Sequence, residues 1–153
     1  MINRPIQMIT SDYGARVING VPGAFHPGLD LRCYTDDFRT KLPVILPEDA
    51  TFLRAVHQDD WGWTLTFKPM HSAKAEIRFT HLSQFETFVV GQVYPAHTQV
   101  GWNGVTEYMK SLGLGEHLHF AVWNVNDKGI LMHEDPKPYF DALSIVYNFA
   151  HAK

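Results

Sequence analysis

His117-Leu118-His119-Phe120-Ala121-Val122-Trp123 is the stretch whose reading decides the fold. Leu118 and Phe120 alternate with His117 and His119, the period of a half-buried β-strand. The two apolar side chains take the core, which leaves both histidines on a polar face. Imidazoles two positions apart on one strand face sit roughly 7 Å apart, twice the strand rise. One can bind a metal ion while the other addresses a substrate.

The same period recurs on either side. Trp61-Gly62-Trp63-Thr64-Leu65-Thr66-Phe67 alternates, with Trp61, Trp63, Leu65 and Phe67 on one face. Ala75-Glu76-Ile77-Arg78-Phe79-Thr80 alternates too and delivers His81 at its end. Gly28-Leu29-Asp30-Leu31-Arg32 puts Leu29 and Leu31 on one side and Asp30 on the other. Residues 42–47, 50–57 and 88–94 read as further short strands. The rest of 1–32 reads as loop, with turns at Asp12-Tyr13-Gly14 and Asn19-Gly20-Val21-Pro22-Gly23. Residues 33–41 read as a charged surface insertion. Residues 107–114 suit a helical turn or two ended by Gly115, and 139–143 a short helix after Pro138. Many short strands between turn signals predict a mainly β, antiparallel sheet with short helices and long loops lining a groove. No repeat or linker divides residues 1–153, so one domain is expected.

Composition narrows the function classes. With 153 residues, 45% hydrophobic and 19% charged, the chain suits a folded domain with a real core. A formal net charge of -3 argues against nucleic acid as a partner. No apolar run approaches the roughly 18 residues of a membrane helix, so stable membrane insertion is not expected. The N-terminal segment lacks the apolar core of a secretory signal. Cys33 is the only cysteine, which excludes an intramolecular disulfide and a cysteine-rich zinc site. Nine histidines, by contrast, favour a metal or acid–base centre.

His26 with Asp30, and His117 with His119, bracket the β-rich middle of the chain, with His81 between them. Imidazole and carboxylate suit a borderline ion such as zinc. The stretches Asp12-Tyr13-Gly14-Ala15-Arg16, His26-Pro27-Gly28-Leu29-Asp30, Thr80-His81-Leu82 and His117-Leu118-His119-Phe120 together resemble the LytM/lysostaphin-type zinc endopeptidases, peptidase family M23. Order and spacing match over residues 9–143. Lys41-Leu42-Pro43-Val44, Gly91-Gln92-Val93, the 101–104 loop and Asp135-Pro136 extend the pattern.

The resemblance implies a lysostaphin/LytM-like fold and one Zn2+ per chain held by His26, Asp30 and His119. It makes His117 and His81 the catalytic pair, His117 as first choice for activating the water and His81 for assisting and stabilising the oxyanion, with the two roles open to exchange. Its substrate is bacterial peptidoglycan, cut in stem-peptide crosslinks or cross-bridges, in the periplasm or outside the cell. A small chain of this kind without a visible signal resembles a phage lysis or virion enzyme, with lysis-system or phage tail proteins as partners. The alternative is a non-catalytic wall-binding or phage structural protein that keeps the peptidase fold. A zinc hydrolase of carbohydrate esters is a third reading. Arg16, Tyr13 and Asn103 are candidate substrate contacts. His57, His71, His97, His133 and His151 read as solvated or structural. Trp61 and Trp63 read as sheet packing, and Trp102 and Trp123 suit either packing or a groove edge. Departures from the family pattern fall in loops, at 33–41, at Asp49-Ala50 and in 103–116, where Glu107, Lys110 and Glu116 stand. Such changes shape a groove without removing a ligand.

Overall fold

The computed structural model describes residues 6–15, 17–18, 21–34, 41–145 and 147–149. In chain order these form β1 (Ile6–Ser11), β2 (Val17–Ile18), β3 (Val21–Pro22), β4 (Leu29–Tyr34), β5 (Val44–Ile45), β6 (Ala50–Gln58), β7 (Gly62–Pro69), β8 (Glu76–Phe85), β9 (Val93–Tyr94), β10 (Gln99–Asn103), α1 (Glu107–Ser111), β11 (Leu118–Val125), β12 (Leu131–Glu134), α2 (Pro136–Ala142) and β13 (Tyr147–Phe149). Eleven of the strands make one open sheet, ordered β13-β1-β4-β11-β8-β7-β6-β9, with β12 beside β11 and β10 joining β5 to β8. β2 and β3 pair separately. Every pairing in the large sheet is antiparallel except β1 with β13. The fold is therefore the mainly β, antiparallel architecture with short helices that the alternation predicts. No helix among the described residues is long and apolar enough to cross a membrane.

The core lies on one face of the central strands. Leu29 and Leu31 of β4, Phe120 and Val122 of β11, Ile77 and Phe79 of β8, and Leu65 and Phe67 of β7 are all buried there. Burying each such side chain contributes roughly 1.5–3 kcal/mol. α2 closes this face, with Phe140 stacked on Phe120 at 5.2 Å between ring centroids. Asp135 caps the helix by accepting the Lys137 N–H at 3.0 Å, and Pro136 opens it, so the helix begins before the expected 139. Beneath it, Glu48 accepts the Tyr139 hydroxyl at 2.8 Å and the His71 N–H at 2.7 Å. That pairing satisfies a buried carboxylate.

Several local expectations change. β1 lies in a region read as loop, and β12 falls in a stretch given no element. In 88–94 only Val93–Tyr94 is strand, because Val89 and Val90 are exposed and have no core to alternate against. The expected 33–41 insertion begins inside β4, where Cys33 is buried. Its residues 35–40 lie outside the described residues. Trp61 does not share the face of Leu65 and Phe67. The register shifts between Trp63 and Thr64, and Trp61 stands at the hairpin tip.

Candidate metal centre and groove

The face of the sheet opposite the core is polar. On it, His119 of β11 lies directly across from Asp30 of β4 and, on the other side, Thr80 of β8. Cross-strand pairing alone therefore brings a histidine and a carboxylate together. His26 comes from outside the sheet. Its backbone exchanges two 2.9 Å hydrogen bonds with Gly14, whose φ of 110° requires glycine. The Asp12-Tyr13-Gly14 turn is thus the clamp that holds His26.

Three atoms converge: His26 Nε2 to Asp30 Oδ1 at 3.1 Å, His119 Nδ1 to Asp30 Oδ1 at 3.1 Å, and His26 Nε2 to His119 Nδ1 at 3.2 Å. Among the described residues this is the group placed to hold a metal ion. A tetrahedron with bonds of about 2.0 Å has edges of about 3.3 Å, so the triangle suits zinc. The proton positions point the same way. His26 Nδ1 lies 2.7 Å from the Asp12 carbonyl, an acceptor, so Nδ1 carries the hydrogen. Neutral His26 then aims the Nε2 lone pair at a carboxylate oxygen. Only a cation between them, a proton or a metal ion, relieves that repulsion. Burial opposes ionisation of Asp30, but the imidazoles of His119 and His26 against its oxygen, each favouring the anion once a proton or metal ion lies between them, and the nearness of His117 hold its carboxyl well below the usual range.

Gly28 explains how the ring of His119 fits. A Cβ there would lie 2.6 Å from the Phe120 carbonyl oxygen and 2.7 Å from His119 Nε2. The absence of a side chain leaves the space the imidazole occupies.

Strict alternation would send His81 to the core with Ile77 and Phe79. A β-bulge prevents this. Thr80 pairs with Thr64 and Leu82 with Trp63, so His81 is the extra residue, at φ 72°. The bulge turns His81 to the groove and returns Leu82 to the core. The left-handed backbone of a non-glycine residue costs about 1–2 kcal/mol. His81 Nδ1 donates to the Trp61 carbonyl at 2.7 Å. Burial, then repulsion from His117 and His119, pulls its pKa down to about 4 against the opposing Trp61 bond and Asp30. His117 is fixed similarly: its backbone N–H donates to the Gly104 carbonyl at 3.1 Å, and Nδ1 donates to the Gly115 carbonyl at 2.9 Å. Both rings keep Nε2 unprotonated when neutral. His117 Nε2 lies 3.6 Å from Asp30 Oδ1, and the His81 and His117 ring centroids are 4.8 Å apart. Gly104 allows this approach, because a Cβ there would lie 2.8 Å from the His81 carbonyl oxygen.

All five residues line one cavity of about 600 Å³. Leu114, Trp61, Phe25, Thr64, Thr80, Arg78 and Trp123 belong to its lining. The Trp61 wall is tied to α1, since Thr106 caps that helix and donates to the Asp60 carbonyl at 2.5 Å. The candidate substrate contacts fall elsewhere. Tyr13 bonds His133 at 2.9 Å behind Phe25. Asn103 is fully buried and donates to Glu116 at 3.0 Å. Neither lines the cavity, and Arg16 lies outside the described residues. Arg78 and Thr80 were missed by the sequence reading. Their shared parity on β8, opposite Ile77 and Phe79, was the available signal.

An open antiparallel sheet with a His-Asp-His triangle on its polar face defines a class of fold and site. Solved structures share the fold. The catalytic domain of the prophage-encoded M23 protein EnpA from Enterococcus faecalis, in a point-mutant form, is similar with a TM-score of 0.64 and 22% identity, over 87% of this chain and 91% of that one. LytU is similar with a TM-score of 0.63 and 22% identity, over 93% and 90%. The catalytic domain of the antimicrobial peptidase lysostaphin from Staphylococcus simulans gives 0.60 and 22%, over 88% and 92%. No protein-family model and no functionally curated protein matches the sequence.

Proposed function

We propose that this protein is a zinc-dependent endopeptidase that hydrolyses peptide bonds in bacterial peptidoglycan, acting as one catalytic unit across the chain. The observation that carries this reading is the 3.1–3.2 Å triangle of His26, Asp30 and His119 beside two histidines of fixed tautomer. The shared fold with M23 peptidases supports the choice of substrate.

His26 Nε2, Asp30 Oδ1 and His119 Nδ1 would hold the ion. When bound, zinc supplies Lewis acidity that polarises a carbonyl and acidifies water. His117 Nε2 borders the triangle, accepts the proton of the attacking water and gives it to the leaving amine as the C–N bond breaks. Asp30, 3.6 Å away, stabilises the imidazolium that results. The Gly115 carbonyl keeps the ring in the tautomer that leaves Nε2 free. His81 faces the substrate side. It is neutral at rest; as negative charge grows on the scissile carbonyl oxygen, Nε2 takes a proton from bulk solvent, hydrogen-bonds that oxygen, and returns the proton to solvent when the tetrahedral species collapses. The apolar rings of Trp61 and Phe25 in the same lining offer packing surface to a bound peptide.

The test is digestion of purified peptidoglycan by zinc-loaded protein, with product termini identified by mass spectrometry. Directly crosslinked and glycine-bridged walls are run in parallel. New amino termini that need both zinc and His117 are the expected result. Stoichiometric zinc without cleavage of either wall would transfer the reading to a wall-binding protein.

A further inference from the structure

We propose that Arg78 and Trp123 form a carboxylate-binding subsite on the groove floor, so that the preferred substrate is a crosslink bearing a free carboxylate near the cut bond rather than an uncharged glycine bridge. This rests on the peptidase reading for where the cut bond lies, and on β8 and β11 for everything else.

Arg78 is held in one orientation. Its Nε and Nη2 donate to Glu76 Oε1 at 2.9 and 2.6 Å, and its guanidinium lies over the Trp123 ring at 4.0 Å. The same oxygen accepts Arg54 Nη2 at 2.7 Å. One carboxylate thus serves two guanidinium groups, leaving an excess positive charge in a chain whose formal net charge is -3. Arg78 Nη1 has no hydrogen-bond partner among the described residues, and Arg78 lines the cavity. Apart from the histidines, Asp30 and Arg78 are the charged side chains in that lining. Asp30 is committed to the triangle, which leaves Arg78 as the charge open to a ligand.

Position sets the spacing. Arg78 pairs with Ala121, two residues along β11 from His119, and its guanidinium reaches Trp123, two further. That places the subsite roughly 7–13 Å from His119 along the strand, two to four residues of extended peptide. A planar guanidinium with a free edge matches a carboxylate by paired hydrogen bonds. A run of glycine amides laid over it would offer the free N–H groups only neutral carbonyl acceptors, which bind a guanidinium more weakly than a carboxylate does.

The test uses the full chain and two soluble crosslinked stem peptides that differ at one point: the carboxylate beside the crosslink is free or amidated. Affinities are measured calorimetrically on metal-free protein, so that the carboxylate cannot gain by binding zinc. The free carboxylate is expected to bind about 10-fold tighter, a ratio that falls below about 2-fold in Arg78→Gln and to about 3-fold in Arg78→Lys. Equal affinities in the unaltered protein, or a ratio that survives in both variants, would overturn the subsite. Cleavage by the zinc-loaded protein is followed separately. Preference in binding with no cleavage sinks the peptidase reading and leaves the subsite standing. Cleavage with equal affinities does the reverse.

Discussion

β8 and β11 carry two surfaces on one ladder of hydrogen bonds. On the core side, Ile77, Phe79, Phe120 and Val122 interlock under α2. On the groove side, Arg78, Thr80, His119, Ala121 and Trp123 occupy the intervening positions. The core side depends on volume, so its contributions are spread over many contacts and each tolerates a change of shape better than a loss of atoms. The groove side depends on single atoms at set distances. It adds little to stability, and its bulge at His81 subtracts from it. One strand pair can hold both because successive side chains point to opposite faces.

The largest effect should come from a single groove-side atom set. His119→Ala removes one corner of the triangle, and we expect stoichiometric zinc to be lost by metal analysis and peptidoglycan hydrolysis to fall by about 1,000-fold or more. The unfolding midpoint of the metal-free protein should shift little. A large shift would mean that the groove side carries stability after all. On the core side, Phe120→Ala removes the ring between Phe79 and Phe140. Urea unfolding should show a loss of about 3–5 kcal/mol.

Gly28→Ala probes the point where the two faces meet, since the added methyl presses on a backbone carbonyl and on the His119 ring together. A chelator competition should show zinc affinity reduced by about 10- to 100-fold. Unchanged affinity would show that His119 needs no such space. At His81 the two surfaces compete directly. His81→Gly and His81→Ala should be equally inactive, yet the glycine variant should be more stable by about 1 kcal/mol, because φ 72° suits glycine and strains alanine.

The smallest effect concerns acid. Burial resists ionisation of Glu76, but hydrogen bonds from Arg54 and Arg78 outweigh it and hold its pKa below the usual value. A depressed folded pKa contributes stability that is complete above the unfolded pKa and lost as pH falls through the folded one. The stability gap between the unaltered protein and Glu76→Gln should therefore be widest near neutrality and narrow below about pH 4.5. A gap independent of pH, in parallel urea titrations, would show that the ion pair is not its source.

Alternation alone settled much of this protein, because a strand that buries one face must segregate its residues by parity. Leu29 and Leu31 against Asp30, and Leu118 and Phe120 against His119, were legible for that reason. A helix within 107–114 and another beside the prolines at 136–138 were legible as local backbone chemistry, though each begins or ends a few residues from the expected bound. Contacts between distant segments were not. Whether His81 faces core or groove depends on a bulge set by its register with β7, and parity pointed the wrong way. Trp61 became a groove wall because Thr106, far along the chain, holds its hairpin. Arg78 acquired an open guanidinium edge only once Glu76, Arg54 and Trp123 were placed around it. Parity is a property of each strand by itself, whereas register, bulges and shared carboxylates exist only between strands.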